Sequence, residues 1–429
     1  MKITEIIDKK KHGGIHTKEE IDFLVSGLSD GSIADYQVSA WLMAVYFQGL
    51  NIEETGFLTE AMTNSGDVLD LSEFGEFSVD KHSTGGVGDK ITLILIPLLA
   101  QAGLYVAKLS GRSLGHTGGT IDKLESISGF NTSLPIKDFL AQVKNIGVAI
   151  AGQTLQLAPA DGKLYALRDV TSTVDCIGLI ASSVVSKKIA AGAKIIVLDV
   201  KYGSGAFLKT KKEAEKLSVI MSEIAKKLNR KLICAITSME EPLGCAIGNS
   251  LEVKEAIDVL QGKGPDDTRY LTLKLGAIAL LEAKKASTEN EAVKILEKLL
   301  TDGSAYKKFE QMIKAQGGDL SVGLPEAKYK IEIKAKKSGF IKTADALTLA
   351  KAAKLLGAGR DKKEDSIDYS VGIVLNKKII NEVKEGETLA VIHSNSQNIE
   401  KIQEMVLTAY EISSSSGAKE PLIYKIIKS

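Results

Sequence analysis

The sequence predicts an α/β protein made of a small all-helical domain and a larger mixed α/β domain with a β-rich C-terminal region. Three observations favour this fold class. Residues 1–66 place apolar side chains at helical spacing, and residues 195–224 run from a β-type stretch through a glycine loop into an amphipathic helix. Beyond Gly323, short stretches alternate apolar with charged residues, as half-exposed strands do.

The N-terminal part is expected to form helices. Thr17 and Glu20 have the T-x-x-E spacing of a capping box, and apolar residues follow them at helical spacing. Residues 34–49 are apolar on several sides, which is typical of a helix buried in a bundle. Residues 63–77 break the helical pattern and are expected to form a connector.

The central part has the succession of elements that is typical of α/β proteins. Residues 195–200, IIVLDV, are a continuous β-type run, and residues 201–207, KYGSGAF, form a glycine loop. Thr210 and Glu213 then cap a helix that has one apolar face. Ligands of such proteins bind at the carboxyl ends of strands, so the loops that follow strands are the candidate sites.

The C-terminal part is expected to add strands. Residues 328–341, KYKIEIKAKKSGFI, alternate apolar and charged residues as a half-exposed strand does, and residues 367–376 and 387–394 are further strand candidates. A helix is expected around residues 344–356. This region shows no obvious chemistry of its own.

Changes of pattern divide the chain into predicted domains. Residues 156–190 look helical and are rich in Ala and Ser, so we expect them to rejoin the N-terminal helices. The helical domain then comprises residues 1–66 and 156–190. The α/β domain comprises residues 67–155 and 191–429, of which 328–429 form the β-rich C-terminal subregion.

Composition and charge argue against several classes of function. The 429 residues include 55 basic and 54 acidic side chains, so we expect no broadly basic face for nucleic acid or an anionic membrane. The longest strongly apolar run, residues 91–100, is half as long as a bilayer requires. Three widely spaced cysteines fit a reducing compartment, and the polar N-terminus lacks the apolar core of a signal peptide. We therefore expect a soluble cytoplasmic protein.

Residues 78–90, SVDKHSTGGVGDK, contain the first candidate site. Glycines let main-chain N–H groups approach an anion closely, and Lys81, Ser83 and Thr92 add one cation and two hydroxyls. This set of groups suits a tetrahedral oxyanion, and the alternative is an ordinary turn. The spacing matches neither G-x-x-x-x-G-K-[ST] nor G-x-G-x-x-G, so neither a nucleoside triphosphate nor a dinucleotide is indicated.

Residues 108–125, KLSGRSLGHTGGTIDKLE, form a second cluster of glycines and hydroxyls. Ser110 and Thr120 are the obvious donors to the same anion. Arg112 is equally a candidate for that anion and for a structural salt bridge. His116 is expected to pack or to hydrogen-bond rather than to catalyse.

A third group is cationic without being rich in glycine. Tyr165 and Arg168 lie in residues 162–171, GKLYALRDVT, and Ser183 precedes Lys187 by four residues, which puts both on one helix face. Together these side chains supply the donors and the hydroxyl that a planar polar ligand needs. The alternative is a solvated helix with ordinary charges.

These blocks together resemble the thymidine and pyrimidine-nucleoside phosphorylases. SGRSLGHTGGTIDKLE is similar to the signature of that family, and DKHSTGGVGD, LYALRDVT, SKK and DVKYGSGAF match further blocks in the same order along essentially the whole chain. The resemblance implies homodimers in which a helical and an α/β domain are hinged so that closure joins two half-sites. It also implies reversible cleavage of uridine, thymidine or 2′-deoxyuridine by phosphate, which yields the free base and (deoxy)ribose 1-phosphate.

The resemblance implies roles for individual residues. The residues that would hold phosphate are Lys81, Ser83, Thr92, Ser110 and Thr120. The residues that would hold the nucleoside are Lys108, Tyr165, Arg168, Ser183, Lys187, Phe207 and Leu208. The catalytic residues would be His82, Arg168 and Lys187, of which the two cations stabilise the departing base. His82 would either protonate the base or only donate a hydrogen bond to it, and phosphate is a co-substrate, with no organic cofactor expected.

Two lysines carry further expectations. Some relatives bind a metal cation, with a threonine at position 90, at residues that correspond here to Gly88, Leu243, Ala246 and Glu255. This chain has Lys90, whose ammonium is expected to replace the ion, so we expect no metal requirement. Lys108 is expected to donate to a ribose 2′-hydroxyl, and the alternative is a general attraction of phosphate.

Two other functions stay open from the sequence. A phosphoribosyltransferase of the anthranilate type, whose fold the family resembles, would need acidic magnesium ligands along the first loop, where Asp89 alone is thin support. A nucleoside-binding protein without catalysis would be expected to lose Lys81, Arg168 or Lys187, and all three are present. Phosphate-dependent release of uracil from uridine separates the three functions.

Overall fold

The computed structural model describes residues 1–112, 115, 118–152, 157–360, 362 and 365–428. Its α-helices are α1 (Ile3–Lys11), α2 (Lys18–Asp30), α3 (Asp35–Gln48), α4 (Ile52–Thr63), α5 (Ile91–Gln101), α6 (Thr120–Leu124), α7 (Ile136–Ile146), α8 (Pro159–Val170), α9 (Ile177–Ala190), α10 (Lys211–Lys227), α11 (Asn249–Leu260), α12 (Asp266–Glu282), α13 (Glu289–Thr301), α14 (Ser304–Ala315), α15 (Ala346–Ala353) and α16 (Glu400–Thr408). Its strands are β1 (Val79–Ser83), β2 (Val106–Ser110), β3 (Val148–Gly152), β4 (Ile195–Tyr202), β5 (Lys231–Ser238), β6 (Ala246–Ile247), β7 (Tyr329–Lys334), β8 (Gly339–Ala344), β9 (Gly372–Leu375), β10 (Glu382–Val383), β11 (Thr388–Ser394), β12 (Tyr410–Ser413) and β13 (Ile423–Lys428).

A mostly parallel sheet forms the centre of the α/β part. β1 pairs with β4 and β4 with β5 in parallel, and β13 adds an antiparallel edge strand to β5. β2 and β3 form a second parallel pair, and a parallel bridge from Ser78 to Tyr105 joins the starts of β1 and β2. The strand order is therefore β3-β2-β1-β4-β5-β13, and the five parallel strands have their carboxyl ends at one edge.

The sheet separates two hydrophobic cores. Val79 and Val197 share a core with the apolar helix α5 and with α11 and α12, whereas Ile196 and Leu198 share a core with α9 and α10. Because both faces of β4 are covered, the strand is buried along its whole length. This explains why its sequence is a continuous apolar run rather than an alternation.

α8 and α9 pack against the N-terminal helices. Ser182 Oγ on α9 donates to the carbonyl oxygen of Thr55 at 3.1 Å, and Thr63 Oγ1 on α4 donates to that of Ser186 at 3.3 Å. α9 also contributes Val185 to the core that it shares with α10 and the sheet. The helical lobe, defined here as α1–α4, α8 and α9, thus meets the sheet through α9.

Several local predictions are confirmed. Thr17 with Glu20 and Thr210 with Glu213 form complete capping boxes at the starts of α2 and α10. The helix predicted over residues 34–49 is α3, whose inner face is buried in the helical lobe. These features depend on a few neighbouring residues, which is why they were visible in the sequence.

The interpretation of residues 328–341 as one strand is wrong. This stretch contains β7 and β8, which belong to different sheets: β7 pairs with β11, and β8 pairs with β10 and β12. Between them, the N–H of Ala335 donates to the carbonyl oxygen of Glu387 at 2.8 Å. Gly339 then starts β8 at φ 153°, where a Cβ would lie 2.3 Å from the carbonyl oxygen of Ser413. The alternation of residue types therefore continues across a turn between two sheets.

The C-terminal region is tied to the α/β part by two strand pairings. β9 pairs with β6, which places Val374 opposite Ala246, and β13 completes the central sheet beside β5. The fold class is therefore the predicted one, with helical, mixed α/β and β-rich parts. In the ranges that the structure describes, no helix is long and apolar enough to cross a membrane.

Candidate active site

Two predicted phosphate residues lie side by side at the carboxyl edge of the sheet. β1 ends at Ser83 and β2 ends at Ser110. The bridge from Ser78 to Tyr105 immediately precedes both strands, and each strand is five residues long. The two serines therefore end neighbouring parallel strands at the same level, which is where α/β proteins bind their ligands.

α6 is fastened to the loop that follows β1. Thr120 is the first residue of α6, and Lys123 on the same helix donates through Nζ to the carbonyl oxygen of Asp89 at 2.8 Å. The same ammonium pairs with Glu252 Oε2 at 2.7 Å. The hydroxyl of Thr120 is thus carried on an element that contacts the first glycine loop.

Lys81 is fully buried beneath this edge. Its Nζ lies 3.4 Å from Thr92 Oγ1, 3.9 Å from Asp89 Oδ1 and 4.0 Å from Asp199 Oδ2. Burial lowers the pKa of Lys81 from its ordinary value, because removal of the ammonium from water outweighs the attraction of the two carboxylates. Lys81 is therefore a cation whose charge is only loosely balanced by the protein.

The glycine loop after β1 is held close to the neighbouring chain segments. The N–H of Thr84 donates to the carbonyl oxygen of Asp199 at 3.0 Å, and that of Gly85 donates to Ser83 Oγ at 3.2 Å. Gly88 has φ 68°, and a Cβ there would lie 2.5 Å from the carbonyl oxygen of Leu243. The loop therefore requires glycine at position 88 both for its backbone conformation and for close packing.

Lys90 binds the acceptors around which the family resemblance implied that its ammonium replaces a cation. Its buried Nζ lies 2.9 Å from the carbonyl oxygen of Leu243, 3.0 Å from that of Ala246 and 2.5 Å from Glu255 Oε1. Among the described residues, no group of three or more His, Cys, Asp and Glu side chains is arranged to hold a metal ion. Because the Lys90 ammonium lies between these acceptors, they cannot bind a metal ion at the same time.

Asp80 and His82 alternate with Lys81 and Ser83 along β1 and therefore point to the opposite side of the strand. Asp80 bridges two buried lysines: Oδ1 lies 3.0 Å from Lys108 Nζ and Oδ2 lies 2.9 Å from Lys188 Nζ. Burial lowers the pKa of Lys108 to about 7, although Asp80 opposes this effect. The ammonium of Lys108 is thus already engaged by a carboxylate.

His82 lies in a strongly cationic environment. Burial, followed by Lys188 and Lys108, holds the pKa of His82 well below its ordinary value. Its imidazole is therefore neutral at neutral pH, which favours a hydrogen bond from His82 over proton transfer by an imidazolium.

Arg168 binds to backbone carbonyls inside the helical lobe. Its Nε, Nη1 and Nη2 donate to the carbonyl oxygens of Thr173 at 3.4 Å, Leu179 at 3.3 Å and Val174 at 2.5 Å. The guanidinium carbon also lies 5.6 Å from the ring centre of Tyr165. Since a guanidinium has five N–H groups, some donors remain for a ligand after these three contacts.

Lys187 and Ser183 do share one face of α9. Lys187 Nζ donates to Ser183 Oγ at 2.9 Å and to Asp161 Oδ2 at 2.5 Å. Asp161 is a buried residue of α8, so its carboxylate links the two helices that carry the predicted base-binding residues. The sequence did not reveal this carboxylate as part of the group.

The remaining predicted residues have different outcomes. Phe207 is 47% exposed in the loop after β4, and Leu208 forms a bridge with Tyr202. Arg112 forms a bidentate salt bridge with Glu125 at 2.6 and 2.7 Å, which is the structural alternative. His116 lies outside the described residues.

Sequence reasoning missed several buried charged residues around these sites. They share a position in or next to elements that are otherwise apolar or glycine-rich, and they include Lys123, Asp161 and Lys201. For Lys201, the available signal was a pair of alternating charges, Asp199 and Lys201, at the end of an otherwise apolar strand.

Family models match three parts of the chain. The model described as "Glycosyl transferase family, helical bundle domain" matches residues 4–66, and "Glycosyl transferase family, a/b domain" matches residues 75–306. The model "Pyrimidine nucleoside phosphorylase C-terminal domain" matches residues 340–413. Among solved structures, anthranilate phosphoribosyltransferase from Thermus thermophilus has a similar fold, with a TM-score of 0.60 at 17% identity over 72% of this chain and 98% of that chain.

Curated relatives are similar over the full length. The pyrimidine-nucleoside phosphorylase of Staphylococcus haemolyticus (strain JCSC1435) is 52% identical over 100% of both chains. That of Geobacillus stearothermophilus is 50% identical over 99% of both chains. With this similarity, and with a glycosyl transferase model covering more than half of its residues, the chain belongs to the pyrimidine-nucleoside phosphorylase family.

Proposed function

We propose that this protein catalyses the reversible phosphorolysis of pyrimidine nucleosides to the free base and (deoxy)ribose 1-phosphate. The observation that carries the proposal is the alternation along β1. Lys81 and Ser83 point to the glycine loop. His82 points to the other side, where burial and then Lys188 lower its pKa. On one side of β1, Lys81 and Ser83 are thus available to an oxyanion. On the other side, His82 lies among the cations that we assign to the planar base.

Phosphate is the nucleophile in this reaction. One of its oxygens bonds to C1′ while the bond from C1′ to the base nitrogen breaks, and the electron pair of that bond leaves with the base. Lys81 holds the phosphate by charge, and Ser83, Thr92, Ser110 and Thr120 supply hydroxyls to its oxygens. Bound phosphate also balances the positive charge that develops on the sugar.

Arg168 and Lys187 stabilise the negative charge that develops on the departing base. Both are already bound to protein acceptors, Arg168 to carbonyl oxygens and Lys187 to Asp161. The base therefore receives donors that are oriented before it binds, which is what transition-state stabilisation by fixed charges requires. His82, as a neutral imidazole, donates a hydrogen bond to the base, and Tyr165, Ser183, Phe207 and Leu208 complete its surroundings.

The phosphoribosyltransferase alternative depends on Asp89 as a magnesium ligand. Asp89 Oδ1 and Oδ2 each lie 3.9 Å from a lysine, Lys81 and Lys201 respectively. Burial on its own would raise the pKa of Asp89, but these two lysines and Lys123 outweigh it and hold that pKa below its ordinary value. A carboxylate surrounded by ammonium groups is a poor metal ligand, so the phosphorylase is favoured.

The decisive experiment is an assay of the full chain with uridine and inorganic phosphate. The proposal requires release of uracil, formation of ribose 1-phosphate and no release without phosphate. Uracil released at the same rate in phosphate-free buffer indicates a hydrolase and contradicts the proposal. Binding of uridine without turnover indicates a binding protein.

The substrate range includes ribonucleosides as well as 2′-deoxynucleosides. An ammonium has three donors, so Lys108 can keep its contact with Asp80 and still donate to a ribose 2′-hydroxyl. The variant Lys108→Met should lower kcat/KM for uridine more than for 2′-deoxyuridine, by a difference of about 1.5–3 kcal/mol. An equal fall for both substrates assigns Lys108 to phosphate instead.

The assembly that we propose is a homodimer formed through α3. Tyr36, Met43 and Phe47 lie along one side of this helix and are 76%, 37% and 76% exposed, whereas Trp41 and Val45 on the other side are fully buried. A second copy of the chain is the partner that the family resemblance implies for such an apolar stripe. Sedimentation of the full chain and of Phe47→Asp tests the assignment, since the variant should be monomeric.

The remaining parts of the proposal concern organisation and cofactors. The base-binding domain comprises residues 1–66 and 156–190, and the phosphate-binding domain comprises 67–155 and 191–429, with substrate binding closing one on the other. Phosphate serves as co-substrate, and no metal or organic cofactor is required. The charge balance and the widely spaced cysteines support a cytoplasmic enzyme.

A further inference from the structure

Two buried lysines beneath the glycine loop share one carboxylate. Asp199 Oδ2 lies 2.8 Å from Lys201 Nζ but 4.0 Å from Lys81 Nζ. Its other oxygen accepts a hydrogen bond from Thr237 Oγ1 at 2.5 Å. Asp199 is thus committed to Lys201 and Thr237, whereas Lys81 has no carboxylate closer than Asp89 at 3.9 Å among the described residues.

Lys201 lies directly under the loop that is assigned to phosphate. Its backbone N–H donates to Thr84 Oγ1 at 2.9 Å. A Cβ at Gly86 would lie 2.7 Å from Lys201 Cδ, so the side chain passes in contact with the loop backbone. Since Lys201 is fully buried on β4, its ammonium acts on the site from below.

The charges of this group balance as long as Lys201 is present. Lys81 and Lys201 carry two positive charges, and Asp89 and Asp199 carry two negative charges, with each lysine within 4.0 Å of both carboxylates. Removal of Lys201 alone leaves two carboxylates around Lys81. A buried group with a net negative charge repels a phosphate anion, because charges interact strongly where water is excluded.

We propose that Lys201 is a positioning residue of the phosphate site, which binds Asp199 and thereby keeps Lys81 unneutralised and available to phosphate. This role rests on the proposed function and makes it more specific. Lys201 does not touch phosphate in this assignment. It acts through the carboxylate that otherwise pairs with Lys81.

The test compares three variants of the full chain with the wild type. Lys201→Met keeps the length and the apolar stem of the side chain under Gly86 but removes its charge. Lys201→Met combined with Asp199→Asn removes both charges, and the asparagine oxygen still accepts from Thr237. The matched control is Lys10→Met, which breaks another buried pair, with Glu54 at 2.5 Å, in the helical lobe.

Calorimetric titration with inorganic phosphate measures the Kd of each variant, and steady-state kinetics compare KM for phosphate with KM for uridine. Lys201→Met should raise the Kd and the KM for phosphate at least about tenfold, with a much smaller change in KM for uridine. The double variant should return the Kd for phosphate to within about threefold of the wild type. Lys10→Met should leave the Kd for phosphate unchanged.

The proposal is overturned by an unchanged Kd for phosphate in Lys201→Met, or by a double variant that binds phosphate no better than the single one. If Lys201→Met does not fold, as judged by circular dichroism, the double variant decides alone, since a loss above about tenfold then assigns Lys201 to direct contact. A wild type that binds phosphate but does not cleave uridine contradicts the phosphorylase function and leaves the calorimetric test of Lys201 intact. A wild type that does not bind phosphate contradicts both.

Discussion

The phosphate side and the base side of the candidate site both depend on buried or half-buried cations, but the protein holds these cations differently on the two sides. On the phosphate side, Lys81 Nζ lies 3.9 and 4.0 Å from its two carboxylates. On the base side, Lys187 lies 2.5 Å from Asp161, and Arg168 donates at 2.5 Å to a backbone carbonyl. The first cation is loosely balanced, and the others are closely bound by the protein.

This difference corresponds to the charges that the two ligands bring. Phosphate carries its charge before the reaction, so a cation without a close partner gains a strong interaction when it binds. The base is neutral in the nucleoside and becomes anionic only as the glycosidic bond breaks. Cations that are already satisfied avoid a buried unpaired charge before that moment and still provide an oriented field during it.

Replacement of Lys90, beside the phosphate side of the site, is expected to give the largest effect of the substitutions. Lys90→Met leaves Glu255 buried without its cation, which should lower the free energy of unfolding by about 3–5 kcal/mol in urea denaturation. Combination with Glu255→Gln should recover part of this loss, because neither charge then remains. Wild-type activity should also survive exhaustive dialysis against a chelator. Activity that disappears on dialysis and returns with potassium or calcium contradicts the role of Lys90.

The base side is tested by Arg168→Ala. Loss of this donor to the departing base should reduce kcat/KM for uridine by about 2–4 kcal/mol in transition-state terms. Because Arg168 also binds three backbone carbonyls, the melting temperature of the variant must be measured alongside. The affinity of the variant for phosphate should be unchanged, since phosphate is bound at Lys81. Arg269→Ala is the control, since Arg269 on α12 pairs with Glu297 at 3.7 Å. Near wild-type efficiency in Arg168→Ala removes the assigned role.

His82 lies between the two sides and is expected to give the smallest effect. Its folded-state pKa is lowered, so the unfolded chain binds more protons at His82 than the folded protein as pH falls through the ordinary value of 6.5. As the pH falls below 6.5, His82 therefore lowers the free energy of unfolding, and at higher pH it is neutral in both states. His82→Gln, which keeps a hydrogen-bond donor, should lower kcat/KM less than about tenfold. In the direction of phosphorolysis, the pH profile of kcat/KM should keep its alkaline limb; an alkaline limb that vanishes in the variant shows that His82, as an imidazolium, gives a proton to the base.

The glycine loops and the helix starts were predictable because their causes are local. A capping box at Thr17 or Thr210 involves residues three apart, and a loop that approaches an anion needs glycine wherever the chain folds. The two strands within residues 328–341 were not predictable, because the same alternation suits one strand or two. Which sheet a strand joins depends on partners that lie far away in the chain.

The pattern of residues alone was enough to indicate the α/β class and two glycine-rich loops that are candidates for anion binding, and the family resemblance added the candidate cations Lys81, Arg168 and Lys187. The partner of each cation was decided by the tertiary structure: Asp80 for Lys108, Asp161 for Lys187 and Asp199 for Lys201. The physical reason is that a buried charge must be balanced by whatever side chain the packing brings within a few ångströms. Lys187 and Asp161 are 26 positions apart in the chain, and Lys108 and Asp80 are 28 positions apart. Asp199 and Lys201 lie close together on one strand, but the role proposed for them depends on Lys81, which is more than a hundred residues away.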